Sequence, residues 1–366
     1  DWSVRSPRRR VDAPEVYRLD NGIRVLVERD GSDLAAVRVA GLGGQLAERA
    51  GAEGLGAAWS RTVMRGAGGL SPDALGRAAA ALGASLGASG GRSSQSMAVE
   101  GPAEHASAAL ELLLLGAVEP SFLATEVDRA RELLVDELAS RDDEPGERLS
   151  VAMWAAAFGG QPWGLDPGGT EASLARLSGA SLLAAHLAWA APENLVVGVV
   201  GNVDSECIVS RLRHVLGKLP VGRGLPRPSN LRHPRRARRV SLPSAREQAH
   251  VSAMYAGITA RDRRAAALEV LGTVLSGQGG RLFGRLREES GLAYAVGASS
   301  LEGPFGGVVT CGLATDPARV HEAEAKLLAA IDGIREGDVT DGEVARARAA
   351  CVGAAEAGLQ TVGARC

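Results

Sequence analysis

The chain has 366 residues, of which 45% are hydrophobic and 23% are charged. This balance is typical of a folded protein and excludes an intrinsically disordered one. The formal net charge is only −2, so no overall field would attract nucleic acid or a membrane surface. No stretch approaches the roughly 20 consecutive apolar residues of a transmembrane helix, so we expect a soluble protein. The length favours two domains over one.

The first predicted elements are two paired strands. Asn21 and Gly22 form a hairpin-turn dipeptide between alternating apolar residues that run from Tyr17 to Val27. Another strand follows at 37–41, and an Ala-rich helix begins after Gly54. Further helices and one buried strand are then predicted, at 73–82, 102–118, 121–140, 147–158 and 178–190 for the helices and 194–200 for the strand.

The composition changes between residues 217 and 243, where Gly, Pro and Arg dominate and apolar periodicity is lost. We interpret this segment as a linker between a domain at 1–216 and a domain at 244–366. The basic run Arg232–Arg239 inside it is more typical of a solvated segment than of a site for an acidic partner.

Beyond the linker the order of elements begins again. The predicted elements are a strand at 248–255, helices at 262–275 and 281–289, strands at 294–300 and 306–314, and a helix at 317–336. The last helical pattern starts near Thr340 and is still running at Cys366, so we expect the natural domain to continue. The sequence therefore predicts an α+β fold of two similar domains, each a mostly antiparallel sheet packed with helices.

The four cysteines are widely spaced and form no C-x-x-C pair: Cys207, Cys311, Cys351 and Cys366. This spacing favours neither a zinc site nor a disulfide-dense scaffold. The sequence leaves two cellular locations possible, namely the bacterial cytoplasm and the periplasm or exterior.

Four segments, in order, resemble one known family. They are 19–25 (L-D-N-G-I-R-V), 54–66 from G-L-G to R-G, the group P-W-G at 162–164 with G-T at 169–170 and P-E-N-L at 192–195, and 275–296 from L-S-G to G-L-A-Y-A-V. Together they are similar to the two-subunit branch of the pitrilysin/insulinase (M16) metallopeptidases. The resemblance implies that the two domains form half of a clam-shell.

The chain departs from this family at its metal site. Active members carry H-x-x-E-H on the helix that follows the Gly-Leu pair, where two imidazoles hold zinc and the Glu activates water. The corresponding positions here are Ala57, Ser60 and Arg61, and the family's third ligand falls on Glu137. One carboxylate beside a guanidinium cannot replace three zinc ligands. We therefore expect no metal in this chain, and we hypothesise that Arg61 and Glu137 form a salt bridge.

The resemblance also implies two residues that assist catalysis in a partner. Family members use an Arg and a Tyr to bind the substrate carbonyl and stabilise the tetrahedral intermediate. These map onto Arg287 and Tyr294, although either residue could instead be a plain surface residue.

Two glycine-containing segments are candidates for binding an extended peptide. The predicted substrate-binding residues are Leu86, Gly87, Ala88, Ser89, Gly279 and Gly280. An edge strand near 86–89 could pair with a peptide backbone. The alternative is that both segments are simple turns, since neither has the form of a phosphate-binding loop.

Two functions from different classes follow from these residues. The first is a non-catalytic, substrate-binding subunit of a heterodimeric zinc endopeptidase, inactive alone, whose partner carries H-x-x-E-H and the zinc. The second is a catalytically inert peptide-binding or assembly protein. A third hypothesis is an independently active metallopeptidase, which would require zinc bound in the isolated chain.

Overall fold

A computed structural model describes residues 13–221, 224–225 and 230–366. Within these residues the strands are β1 (Glu15–Arg18), β2 (Arg24–Arg29), β3 (Leu34–Leu42), β4 (Ser85–Gly90), β5 (Ser94–Pro102), β6 (Leu195–Gly201), β7 (Ala249–Ala256), β8 (Ala295–Glu302) and β9 (Gly307–Thr315). The helices of the first half are α1 (Leu55–Thr62), α2 (Pro72–Ala81), α3 (Ala106–Val118), α4 (Ala124–Asp142), α5 (Pro145–Phe158), α6 (Glu171–Leu174), α7 (Gly179–Trp189) and α8 (Ser205–Val215). Those of the second half are α9 (Ala265–Leu275), α10 (Arg281–Phe283), α11 (Val320–Arg335), α12 (Asp341–Gly358) and α13 (Val362–Arg365).

The first sheet has six strands in the order β1-β2-β6-β3-β5-β4. The predicted hairpin is confirmed: β1 pairs antiparallel with β2, and Gly22 has a φ of +94°, which favours glycine. The apolar strand β6 lies parallel to β2 and antiparallel to β3. The remaining pairs are antiparallel.

The second sheet has the order β7-β9-β8 and repeats the β3-β5-β4 arrangement. Two helices separate β3 from β4, and two helices likewise separate β7 from β8. Two long helices follow β5, and two follow β9. The predicted α+β fold with two similar units of mostly antiparallel sheet is confirmed. The boundaries proposed for the two domains remain a prediction.

Capping residues fix the start of several helices. Ser71 accepts a hydrogen bond from the backbone N of Ala74, and Pro72 follows it at the first helical position of α2. Thr340 and Glu343 form a capping box at the start of α12. Arg281 is almost fully buried and donates two hydrogen bonds to the Glu343 carboxylate, which fixes α12 against α10.

Two helices differ in type or end from the prediction, whereas others, such as α3 and α9, begin three or four residues later than predicted. The helix expected over 281–289 is an α-helical turn followed by a π-helical turn at Gly284–Glu288, closed by a bond from Glu289 N to Gly284 O. The helix expected to run to Cys366 ends at Gly358, because Thr361 caps the separate turn α13.

A third apolar cluster joins the two halves. Trp154, Phe158 and Trp163 from the first half pack with Val308 of β9 and with Leu231 of the predicted linker. Leu231 is buried, and its backbone N donates to Phe305 O at 2.7 Å. The linker is therefore anchored at this point, although its residues 222–223 and 226–229 lie outside the described residues.

The basic run is exposed, as expected, but two of its residues contact opposite halves. Arg238 donates to the carbonyl of Ala156 at 2.9 Å, while Arg239 pairs with Glu324 at 2.7 Å. Such exposed ion pairs contribute little stability. Across the described ranges, every helix is too short or too polar to cross a bilayer.

Replacing Leu231 by Ala should lower the free energy of unfolding by about 2 kcal/mol, because the buried isobutyl group leaves a cavity in the cluster between the halves. Leu242→Ala is the matched control, since Leu242 is 38% exposed, and should cost less than about 0.5 kcal/mol. Urea unfolding measures both variants. Equal losses in the two variants would contradict the anchoring role of Leu231.

Candidate functional site

The helix α1 carries the positions of the lost metal motif, and a buried carboxylate holds its first turn. Gly54 precedes the helix with a φ of +82°. Glu48 accepts hydrogen bonds from the backbone N of Gly54 at 3.3 Å and of Gly56 at 2.8 Å. It thereby satisfies two amide groups that have no partner inside the helix. Burial raises the pKa of Glu48 to about 7, despite the opposing effect of these two bonds.

The expected salt bridge lies at the degenerate motif. The Nη2 atom of Arg61 is 2.7 Å from both carboxylate oxygens of Glu137, and Nη1 donates to the carbonyl of Ala57 at 3.1 Å. Ser60 donates its hydroxyl to the same carbonyl at 2.9 Å. Both members of the pair are partly exposed, so the pair is worth no more than about 1 kcal/mol.

These residues do not fit a zinc ion. The guanidinium of Arg61 bonds both carboxylate oxygens of Glu137, which are the atoms that would bind a metal, and the side chain of Ala57 has no donor atom. In the part of the chain that the structure describes, no three His, Cys, Asp or Glu side chains lie close enough to hold a metal.

A cavity of about 200 Å³ borders α1 at Ala57. Glu48, Gln45 and Arg92 contribute its polar groups, while Gly90 lies where β4 meets the cavity. Arg92 places its guanidinium carbon 3.6 Å from the ring centre of Trp154 and donates to Gln45 Oε1 at 2.7 Å. Burial lowers the pKa of Arg92 to about 10.

The candidate peptide-binding residues Leu86–Ser89 lie on β4, one of the two edge strands of the first sheet. The strand pairs with β5 on one side, and the order of the described strands leaves its other edge without a strand. At its end β4 approaches α1 closely, since a Cβ atom on Gly90 would lie 3.0 Å from the carbonyl O of Gly56. Such an edge can accept an extended backbone.

The other candidate glycines, Gly279 and Gly280, lie in the second half, in the turn before α10. Gly280 N donates to Gly277 O, and a Cβ atom on Gly280 would collide with the carbonyl of Ser276. The need for glycine at position 280 is therefore explained by the turn itself. A role of either residue in substrate binding remains a prediction.

Arg287 and Tyr294 are both exposed on the second half. Arg287 lies in the π-helical turn, with its guanidinium carbon 5.2 Å from the ring centre of Phe283. Tyr294 is 55% exposed and is held by a bond from its backbone N to Ala314 O. Among the described residues neither the guanidinium nor the hydroxyl has a hydrogen-bond or ion-pair partner. Their polar groups therefore face outward without bonds to the lost metal site.

Sequence reasoning missed Glu48, Gln45 and Arg92. The only sequence feature that pointed to them was the position of Glu48, six residues before Gly54, which caps the start of α1. Their burial depends on the turn after β4 and on α5, which are distant in sequence.

Residues 176–351 match the family model described as the peptidase M16 inactive domain. An uncharacterized zinc protease of Streptomyces coelicolor is 30% identical over 251 residues, which are 65% of this chain and 54% of that protein. An uncharacterized zinc protease of Bacillus subtilis, YmxG, is 27% identical over 53% of this chain and 47% of its own length. The chain is therefore similar to the M16 peptidase family, whose inactive-domain model matches about half of it. It spans about half the length of these curated relatives.

Solved structures show the same fold. A peptidase M16 inactive domain from Pseudomonas fluorescens superposes with a TM-score of 0.86 at 20% identity, covering 93% of this chain and 83% of that one. A protease from Helicobacter pylori superposes with a TM-score of 0.87 at 17% identity, covering 96% and 87%. The chain therefore shares the fold of these two structures, and its helix α1 carries no H-x-x-E-H motif.

The stability of the protein should depend on pH through Glu48. The folded state binds this proton more tightly than the unfolded state, whose pKa is near 4.5, so the contribution of Glu48 to stability falls as pH rises from about 4.5 to 7 and then levels off. Glu48→Gln removes this titration and keeps one acceptor for Gly56. Relative to this variant, the wild type should lose roughly 1–3 kcal/mol between pH 5 and pH 8 in urea unfolding. A difference that does not change with pH would refute the role of Glu48.

Restoring the motif should create a zinc site. The variant with Ala57→His, Ser60→Glu and Arg61→His places two imidazoles on α1, next to Glu137, which already reaches the side chain at position 61. It should bind one zinc ion per chain by metal analysis after dialysis, while the wild type binds none at this site. Adding Glu137→Ala should weaken that binding by at least about ten-fold. Zinc retained equally by wild type and variant would contradict our assignment.

Proposed function

We propose that this chain is the non-catalytic, substrate-binding subunit of a two-chain M16 zinc endopeptidase. The observation that carries the proposal is a combination of two features. Arg61 and Glu137 pair at the positions implied for zinc ligands, and the exposed side chains of Arg287 and Tyr294 have no polar partner among the described residues. A chain that cannot hold the metal contributes to hydrolysis only through groups that it presents to another chain.

The environment of Arg287 and Tyr294 supports their use by a partner. A placed donor must keep its N–H or O–H free for the oxyanion that develops in the transition state. By contrast, the buried Arg281 of this half has its guanidinium paired with Glu343. Arg287 is exposed in a π-helical turn, a type of distortion that is frequent at functional sites.

The free edge of β4 supports peptide binding. A peptide added there would extend the first sheet along α1, with backbone bonds supplying affinity whatever the sequence. The backbone of Leu86–Ser89 would pair with it. In this proposal the partner chain carries H-x-x-E-H and the zinc, and this chain positions the peptide.

The test is reconstitution. Mixing this chain with an H-x-x-E-H-bearing M16 chain that is inactive alone should produce cleavage of an internally quenched peptide. Arg287→Ala or Tyr294→Phe in this chain should lower kcat by about 10²–10³, because each removes one donor from the transition state. Co-elution in gel filtration confirms that the complex still forms.

Arg348→Ala and Tyr255→Phe are matched controls, since they remove the same chemical groups from α12 and β7. Both should leave kcat unchanged within about two-fold. Cleavage that is unaffected by Arg287→Ala and Tyr294→Phe would reject the donated pair. Stable peptide binding with no cleavage alongside any H-x-x-E-H chain would favour an inert peptide-binding protein instead.

A further inference from the structure

The cavity borders Ala57, where the family resemblance implies an imidazole. The alanine side chain is a methyl group and leaves the space beside it open. The neighbouring walls are backbone, supplied by Gly44, Gly56 and Gly90. At about 200 Å³ the cavity exceeds the volume of several water molecules, at about 30 Å³ each. It has room for a side chain of moderate size.

Two polar groups on the walls have spare hydrogen-bonding capacity. Each oxygen of Glu48 accepts one backbone N–H, whereas a carboxylate has about four acceptor sites. Arg92 donates from Nη1 to Gln45, and its other donors bind no side chain of the described residues. The cavity therefore offers acceptors on one wall and donors on another.

This arrangement discriminates among ligand groups by charge. At pH 8, the pH of the binding test below, Glu48 is ionised and Arg92 is a cation, so a ligand group with a full charge of either sign would face one wall residue of its own sign. An apolar group would displace water from the spare hydrogen-bonding sites of both wall residues and leave those sites unpaired, which is unfavourable. A neutral carboxamide supplies one acceptor and two donors, and so it complements both walls.

The cavity also lies at the end of the free edge of β4. Gly90 and Gly91 line it, and β4 ends at Gly90. A peptide that pairs along β4 would place alternate side chains toward α1. We propose that the cavity is a subsite for the carboxamide side chain of glutamine or asparagine in a peptide bound along β4. This inference rests on the peptide-binding part of the proposed function.

The test uses fluorescence anisotropy at pH 8 to measure the binding of fluorescein-labelled peptides composed of Thr and Val. In each peptide one residue is replaced by Gln, Ala, Lys or Glu, and the position of this guest residue is moved along the peptide. At one guest position the Gln peptide should bind about ten-fold more tightly than the other three. Ala57→Leu fills the cavity from a helical position, so it should reduce this preference to within about two-fold while the affinity for the Ala peptide stays unchanged. Ala80→Leu on α2, which is exposed, is the matched control and should keep the preference.

The outcomes separate the inference from the proposed function. Peptides that all bind with equal affinity, or a Gln preference that survives Ala57→Leu, would overturn the carboxamide subsite and leave peptide binding intact. Tightest binding of the Lys or Glu peptide would also overturn it, since one wall charge would then dominate. Failure of every peptide to bind would overturn both the subsite and the edge-strand proposal.

Discussion

The carboxylate of Glu48 holds the first turn of α1, and the candidate site is arranged around that helix. Its bonds to Gly54 and Gly56 fix where the helix begins. The helix in turn sets the positions of Ala57 and Arg61, and its first turn closes one wall of the cavity. Glu48 caps the helix from a buried position, and this burial raises its pKa and so disfavours its ionised form.

The Arg61–Glu137 ion pair lies at the two positions where the family resemblance implies zinc ligands. It bridges the helices α1 and α4. A surface ion pair provides orientation but no Lewis acid and no activated water. Any hydrolytic role must then depend on groups elsewhere in the chain, and Arg287 and Tyr294 are exposed on the second half.

Much of this architecture could be predicted from local sequence signals. The Asn21-Gly22 turn, the alternating strands and the capping residues Ser71 and Thr340 each act through short-range chemistry. The Arg61–Glu137 pair was predictable because the family motif aligns two positions that are 76 residues apart. The burial of Glu48 and Arg92 was not predictable, because it arises from elements that meet only in the folded chain. The π-helical turn was missed because an α-helix has the same apolar pattern over these few residues.

The turn between β4 and β5 touches both the cavity and the joint between the halves. Arg92 lines the cavity and stacks on Trp154, and its backbone carbonyl accepts a bond from the indole N–H of Trp163. Trp154 and Trp163 belong to the cluster that also includes Leu231 and Val308. If the second half moved relative to the first, Trp154 and Trp163 would change position and displace the guanidinium of Arg92. A change in the position of one half relative to the other would thus change the shape of the cavity through Trp154 and Arg92.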